Sequence, residues 1–302
     1  MAEPSFETAL VTGATGYVGS RLAARLVGLG KRVHVVARPG SRLDLLAPIA
    51  DRLTVHRHDG TTEGLVAIVA DARPDVAFHL ASNFIAQHVT ADVAGLVGAN
   101  LLFPTQLLEA LASAHVDRLI ATGTSWQHYE DAPYRPVDLY AATKQAFEDV
   151  LAYYADACGM KATTLVLFDT YGPRDPRGKL VSLLWRTARA GRPLAMSPGE
   201  QKLDLVHVDD VVEAYLVAAA LLDGRAEPTR RYGVATGRPL ALRESVAIFE
   251  RATGLRVPIA WGERPYRPRE VMTPWTTWDA LPGWTARIAL EDGLIGTEPD
   301  GV

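Results

Sequence analysis

Two hydrophobic periods take turns along the first half of the chain. ALVT (9–12), RVHVVA (32–37), LTVHR (53–57), DVAFHLA (75–81), RLIATG (118–123) and KATTLVLF (161–168) are short apolar runs rich in β-branched residues. They predict buried strands. Between them, Tyr17–Leu29, Thr62–Asp71, Asp92–Ala114 and Asp138–Cys158 carry apolar residues at helical spacing. Strands alternating with helices build right-handed βαβ units, so the pattern predicts an α/β fold with a doubly wound parallel sheet covered on both faces. The pattern changes after Gly172. PRDPRGK (173–179) is a run of proline, glycine and charge, and five of the six tryptophans (Trp185, Trp261, Trp275, Trp278 and Trp284) lie beyond it. The expected organisation is a first domain over 1–172 and a smaller C-terminal lobe over 173–302 that covers the mouth of the sheet, with segments such as 204–222 returning to the first domain.

The first strand runs into TGATGYVGS, with glycines at 13, 16 and 19. Gly13 permits a tight turn, Gly16 lets a pyrophosphate approach the backbone, and Gly19 lets the helix pack close to the sheet. The helix N-terminus then faces the phosphates with free N–H groups and its positive dipole end. Such a turn after a first strand and before a helix predicts a Rossmann-like dinucleotide site. The second strand reads the ribose. VVARPGSR (35–42) offers Arg38, Ser41 and Arg42, with no carboxylate before Asp44. A guanidinium there suits a 2′-phosphate, so NADP(H) is the expected cofactor. Asp59 and Gly60, after the third strand, are expected at the adenine edge. His56 and His58 stand i, i+2 on a strand without a partner cluster and read as surface residues, not metal ligands.

Tyr140 and Lys144 stand four apart on a predicted helix and share one face. Asp138 is a candidate N-cap for that helix. A lysine ammonium beside a phenol favours the phenolate and makes the tyrosine usable as a general acid or base. Thr124 ends the fifth strand, at the carboxyl edge where open α/β sheets bind ligands, and its hydroxyl could hold a substrate oxygen.

TGATGYVGS, HLAS (79–82), TGTS (122–125), YAATK (140–144), FDTYGPR (168–174) and DLVHVDDVVEAY (204–215) resemble, in this order and over nearly the whole chain, the extended short-chain dehydrogenase/reductases, which act on nucleotide sugars. Within that family WQHY, LYAATKQAFEDVLAYY, LFDTYGPRDPR and MSPGEQ are similar to CDP-abequose synthase-like 4-ketoreductases of deoxysugar pathways. The resemblance implies Thr124, Tyr140 and Lys144 as the catalytic set and Asn100 as a structural residue beside it. It implies cofactor contacts from Thr15, Tyr17, Val18, Leu80, Ala81, Ser82, Phe168 and Thr170, besides the glycine turn, Tyr140 and Lys144. Substrate contacts are implied for Asn83, Thr124, Ser125, Trp126, Asp169, Lys179, Leu180 and Arg267, the last at the diphosphate. Two departures matter. The resembling 4,6-dehydratases carry an Asp-Glu pair directly after the catalytic Ser/Thr, where this chain has Ser125 and Trp126, so the proton carriers for dehydration are missing. An arginine often precedes the Asp of DLVHVDD, where Leu203 stands here, which shifts the phosphate load toward Arg267 or Arg269.

Composition narrows the classes. Of 302 residues 48% are apolar and 22% charged, and the net charge is −4 without a basic run, which argues against a nucleic-acid partner. Cys158 is the single cysteine, so no intramolecular disulfide forms. No 18-residue apolar run and no signal-peptide pattern are read in the chain, and the expected compartment is the cytoplasm, without membrane partners. HVDD (207–210) reads as a helix start, with Asp209 capping the helix Asp210–Leu222 and His207 orienting a loop, rather than as a metal site. The cluster Trp261, Tyr266, Trp275 and Trp278 could stack on a nucleotide base or form lobe core. The expectation is an NADPH-dependent reductase, a homodimer, acting on a nucleotide-linked 4-keto-6-deoxyhexose. Its rivals are an NAD-dependent epimerase and a non-catalytic NADP-sensing regulator, against which an intact Tyr140/Lys144 pair speaks.

Overall fold

The computed structural model describes residues 5–222 and 227–298. Seven strands form the main sheet: β1 (Thr8–Thr12), β2 (Arg32–Ala37), β3 (Leu53–Arg57), β4 (Val76–His79), β5 (Arg118–Thr124), β6 (Lys161–Leu167) and β11 (Thr229–Val234). Their order is β11-β6-β5-β4-β1-β2-β3 and every neighbouring pair is parallel. This is the doubly wound, Rossmann-like arrangement, with its reversal of winding between β1 and β4. Helices α1 (Tyr17–Gly28) and α7 (Val208–Ala220) pack together on one face. On the other face lie α2 (Thr62–Ala72), the tandem α3 (Val93–Val97) and α4 (Phe103–Ser113), and α5 (Leu139–Cys158).

The second half crosses between bodies. Strand β7 (Asp169–Tyr171) pairs with β10 (Leu205–His207), just before α7 packs on α1. The lobe itself is built from α6 (Leu180–Ala190), β8 (Leu194–Met196), β9 (Lys202–Leu203), β12 (Leu240–Ala241), α8 (Leu242–Thr253), β13 (Ile259–Trp261) and α9 (Leu290–Leu294). Its apolar centre includes Leu184, Trp185, Val246, Phe249 and Leu294. Asp204, 2% exposed, accepts from the backbone N–H groups of Thr236 and Gly237 at 2.8 and 2.9 Å and so ties β9–β10 to the end of β11.

Several local expectations need correction. The helix expected over 92–114 is broken by a π turn at Gly98–Leu102. Pro104 lacks the N–H that would bond the Asn100 carbonyl four residues back, and its ring crowds that carbonyl, so the helix widens there. Within Thr90–Ser113 an 18-residue window reaches a mean hydropathy of 1.2, enough by length and composition to cross a membrane, although Asp92, Asn100, Gln106 and Glu109 interrupt the segment and no unbroken 18-residue apolar run is present. Here Leu107, Leu108 and Leu111 are buried in the core against α2 and α5, while Val93, Val97 and Leu102 stay exposed. The cap of α7 is His207, whose Nδ1 accepts from Asp209 N at 3.3 Å, rather than Asp209. His58 is buried, not on the surface, with Nε2 2.9 Å from the Thr61 carbonyl, and half-buried His56 lies 2.9 Å from His34 Nδ1. The tryptophans serve packing: Trp275 stacks on His128 at 3.8 Å, and Trp278 covers Gly233.

Candidate active site

Two cavities open at the carboxyl edge of the sheet and share Ser82. The first, about 700 Å³, is lined by Gly13, Thr15, Gly16, Arg38, Ser41, Asp59, Gly60, Leu80, Ala81, Ser82 and Asn83. Its floor is a backbone-on-backbone contact. Gly13 has φ +74°, and a Cβ built there would lie 2.4 Å from the Ala81 nitrogen. A Cβ on Gly19 would fall 2.2 Å from the Gly13 carbonyl oxygen. Both glycines therefore admit no other residue without displacing backbone. The cradle fits a nicotinamide dinucleotide, with phosphates over the N-terminus of α1.

The ribose end of this cavity is shaped by a residue that sequence reasoning missed. Arg57, at the end of β3, donates from Nη1 to the carbonyls of Arg38, Pro39 and Ser41 at 2.8, 3.3 and 3.1 Å. It holds the loop after β2 and adds a cation beside it. Arg42 turns away and pairs with Asp44 at 2.6 Å, so it does not line the cavity as expected. The Asp59 carboxylate accepts from Thr61 N and Oγ1 at 2.9 and 2.8 Å, and the backbone bond above all holds its pKa down.

The second cavity, about 440 Å³, is lined by Thr124, Ser125, Trp126, Tyr140, Asp169, Lys179 and Leu180, together with Val18, Phe168 and Thr170. Sequence reasoning placed the last three with the cofactor and Asn83 with the substrate. Asn83 instead faces the first cavity. Phe84, Asp175 and Arg177 also border the second cavity and were not anticipated. Tyr17 lines neither cavity, and its hydroxyl donates to the Pro173 carbonyl at 3.1 Å. Arg267 also lies outside both linings, bound to Glu270 at 2.7 Å, with its guanidinium 5.4 Å from the Trp126 ring centre.

The reactive side chains converge at the junction of the cavities. Asp138 caps α5 by accepting from Ala141 N at 2.8 Å, so Tyr140 enters the first turn of a well-started helix. Burial pushes the Tyr140 phenol up to about 12, offset in part by hydrogen bonds with Ser82 and Thr124. Thr124 Oγ1 accepts from Trp126 N at 3.3 Å, which leaves its hydroxyl proton free to donate. Lys144 is 2% exposed and stands behind Tyr140, outside both linings. Burial lowers its pKa to about 8, opposed by Glu148. The direction is the opposite of the expected depression by the lysine: desolvation dominates, and the phenol is protonated at neutral pH.

The π turn gives Asn100 its place. Its Oδ1 accepts from Ser82 Oγ and Asn83 N at 2.9 and 2.8 Å, and its Nδ2 donates to Asn83 O and Thr143 Oγ1 at 2.9 and 3.1 Å. One buried amide therefore locks the segment after β4 to the helix that carries Tyr140 and Lys144. Phe84, on that segment, meets Tyr140 edge-on at 5.0 Å and Trp126 at 5.4 Å, and Lys179 Nζ lies 4.0 Å from its ring centre. Burial raises the Asp169 pKa, against the pull of Lys179, Arg267 and Arg177.

Glycine turn, Tyr-Lys helix and paired cavities define a nicotinamide-dependent enzyme of the short-chain dehydrogenase/reductase type. Residues 9–234 match the NAD dependent epimerase/dehydratase family, and the chain belongs to it. It is similar to a CDP-abequose synthase of Yersinia pseudotuberculosis, at 27% identity over 88% of this chain and 90% of that one. It is also similar to a UDP-glucose 4-epimerase of Mycolicibacterium smegmatis, at 29% identity over 95% and 96%. Among solved structures, MoeE5 in complex with UDP-glucose and NAD superposes with a TM-score of 0.82 at 28% identity, covering 96% of this chain and 97% of that chain. The chain is therefore an enzyme of a nucleotide-sugar-modifying family.

The raised phenol gives a direct check. In a spectrophotometric pH titration of the free protein, the difference between wild type and Tyr140→Phe is expected to show no tyrosinate absorbance from Tyr140 below about pH 11, one unit under its value. A tyrosinate signal at pH 8–9 that vanishes in the variant would contradict the geometry described for this site.

Proposed function

We propose that the protein reduces the 4-keto group of a nucleotide-linked 4-keto-6-deoxyhexose, a CDP- or dTDP-sugar, with NADPH. The observation that carries this reading is the pair after Thr124. Ser125 and Trp126 flank the cavity, and Phe84 closes the wall against Trp126 and Tyr140. A hydroxyl and an indole N–H are too weak as acids and bases to strip a sugar C5 proton and expel a C6 hydroxyl. An apolar wall suits a C6 methyl.

The residues divide the work as follows. The nicotinamide, when bound, supplies the hydride. Thr124 donates to the keto oxygen, and the protonated Tyr140 hands its proton to that oxygen as negative charge develops. Lys144, charged behind Tyr140, stabilises the phenolate left behind. A reductase needs this phenol protonated at the start, and a pKa of about 12 supplies that state. Lys179 and Arg177 line the cavity and Arg267 lies over Trp126 at its border, and these are the cations a substrate diphosphate requires.

NADPH is favoured over NADH by Arg38 and Ser41 at the ribose end, by Arg57 holding their loop, and by the absence of a carboxylate at the end of β2. An epimerase remains the second reading, since a UDP-glucose 4-epimerase is among the relatives and Ser125–Trp126 does not bar that chemistry. It predicts a retained NAD and no net consumption of reduced cofactor.

Wild type is expected to bind NADPH more tightly than NADH, and Arg38→Asp to erase that preference, since one charge-assisted pair is worth about 1.5–3 kcal/mol, roughly tenfold or more. Equal affinities before and after the substitution, read by calorimetry, refute the cofactor assignment. Incubated with CDP- or dTDP-linked 4-keto-6-deoxyhexose, the protein is expected to oxidise NADPH in step with substrate. With CDP-glucose or dTDP-glucose and NAD it is expected to form no dehydrated product, and a mass loss of one water there sinks the reductase reading.

A further inference from the structure

A buried polar chain runs behind the catalytic face, and none of its members lines either cavity. Its centre is Glu148, one helical turn beyond Lys144 on α5. Glu148 Oε1 accepts from Gln127 Nε2 at 2.8 Å. Through its own Oε1, Gln127 accepts from the backbone N–H of Thr124 at 3.0 Å, and its Nε2 also donates to Gln145 Oε1 at 3.0 Å. Arg231 of β11 brings Nε to 3.0 Å from Glu148 Oε2, with its N–H off the line of contact, so this is an ion pair rather than a hydrogen bond. Arg231 Nη2 lies 2.8 Å from His128 Nε2. His128 Nδ1 is 3.0 Å from the Ala132 carbonyl, which places the ring proton on Nδ1 and leaves Nε2 to accept from Arg231. Beyond it Trp275 of the C-terminal lobe stacks on the His128 ring.

A carboxylate this deep carries a desolvation penalty of several kcal/mol unless it is paired. Arg231 and Gln127 supply that pairing, yet burial still raises the Glu148 pKa, with Asp149 adding a like charge. What the carboxylate does in return is seen at Lys144. The neighbours of Lys144 include His79, which burial keeps neutral, the Phe147 ring at 5.9 Å and Tyr140 one turn back. Glu148, four residues on along α5 and so on the same helix face, is an anion that offsets the desolvation of its ammonium.

We propose that Glu148 is a positioning residue for the reaction: one carboxylate, a helical turn from Lys144 on the same face of α5, that supports the Lys144 ammonium electrostatically and, through Gln127, fixes the Thr124 end of β5. It touches neither cavity and acts through residues that carry or flank the chemistry. Arg231 and His128 extend its contacts to Trp275 of the lobe. The proposal rests on the reductase reading only for its rate readout.

The test is Glu148→Gln, which keeps the shape and removes the charge. NMR of lysine-labelled protein, with Lys144 assigned through Lys144→Arg, reads the Lys144 titration without substrate or cofactor. Wild type is expected to titrate near 8, and Glu148→Gln lower by roughly one unit or more. The lysine must be protonated to stabilise the phenolate, so the basic limb of the kcat/KM profile moves to lower pH by the same amount. If Glu148→Gln does not fold because Arg231 is left unpaired, Glu148→Gln/Arg231→Gln removes both charges and is expected to show the same downward shift. A folded variant whose Lys144 titration is unchanged overturns the proposal, whatever the rate. A wild type inactive on every keto sugar overturns the reductase reading instead and leaves the NMR result standing.

Discussion

Backbone must touch backbone where β1 turns into α1. Gly13 sits against Leu80 and Ala81, and Gly19 against Gly13, with no room for a single added carbon. Everything at the carboxyl edge follows from that approach. It brings the end of β4 beside the glycine turn, opens the crevice at the reversal of strand order, and sends the chain from Ala81 through Ser82 and Asn83 to the Asn100 amide. Asn100 then meets Thr143 on α5, so the cofactor cradle and the helix of Tyr140 and Lys144 share one rigid link.

Within that frame the chemistry is governed by desolvation. A phenol and an ammonium placed together in water would favour the phenolate. Here both are buried, and burial drives the phenol up and the lysine down, toward their neutral forms. The result suits a proton donor rather than a resting base. Glu148 opposes the fall of the lysine pKa, and Arg231, from the edge strand of the sheet, opposes the rise that burial imposes on Glu148 itself. Phe84 and Trp126 complete the cavity with an apolar wall where a dehydratase would need proton carriers.

Features that depend on neighbours in sequence were legible before the fold was known. The glycine turn follows a strand and opens a helix, and Tyr140, Lys144 and the Asp138 cap lie within one short segment of α5 and its entry. Features that depend on partners far along the chain were not. Arg57 is an ordinary strand-end arginine until the loop after β2 folds over it, and Arg42 chooses Asp44 over the cavity. Nothing in a single sequence pairs Glu148 with Arg231, 83 positions later. The π turn required recognising that Pro104 would cost Asn100 its helical partner, a signal that was present and not used. His58 and Asp209 were misjudged because polar residues on a strand and at a helix start have common surface roles, which burial and the His207 cap overrode.

Transfer of deuterium from [4-²H]NADPH tests the central claim most directly. Given a nucleotide-linked 4-keto-6-deoxyhexose and cofactor carrying deuterium at both C4 positions, the account predicts one deuterium at C4 of the product for each NADPH oxidised. A product without label, or a C4 epimer formed from a nucleotide-linked hexose while reduced cofactor stays constant, would contradict it.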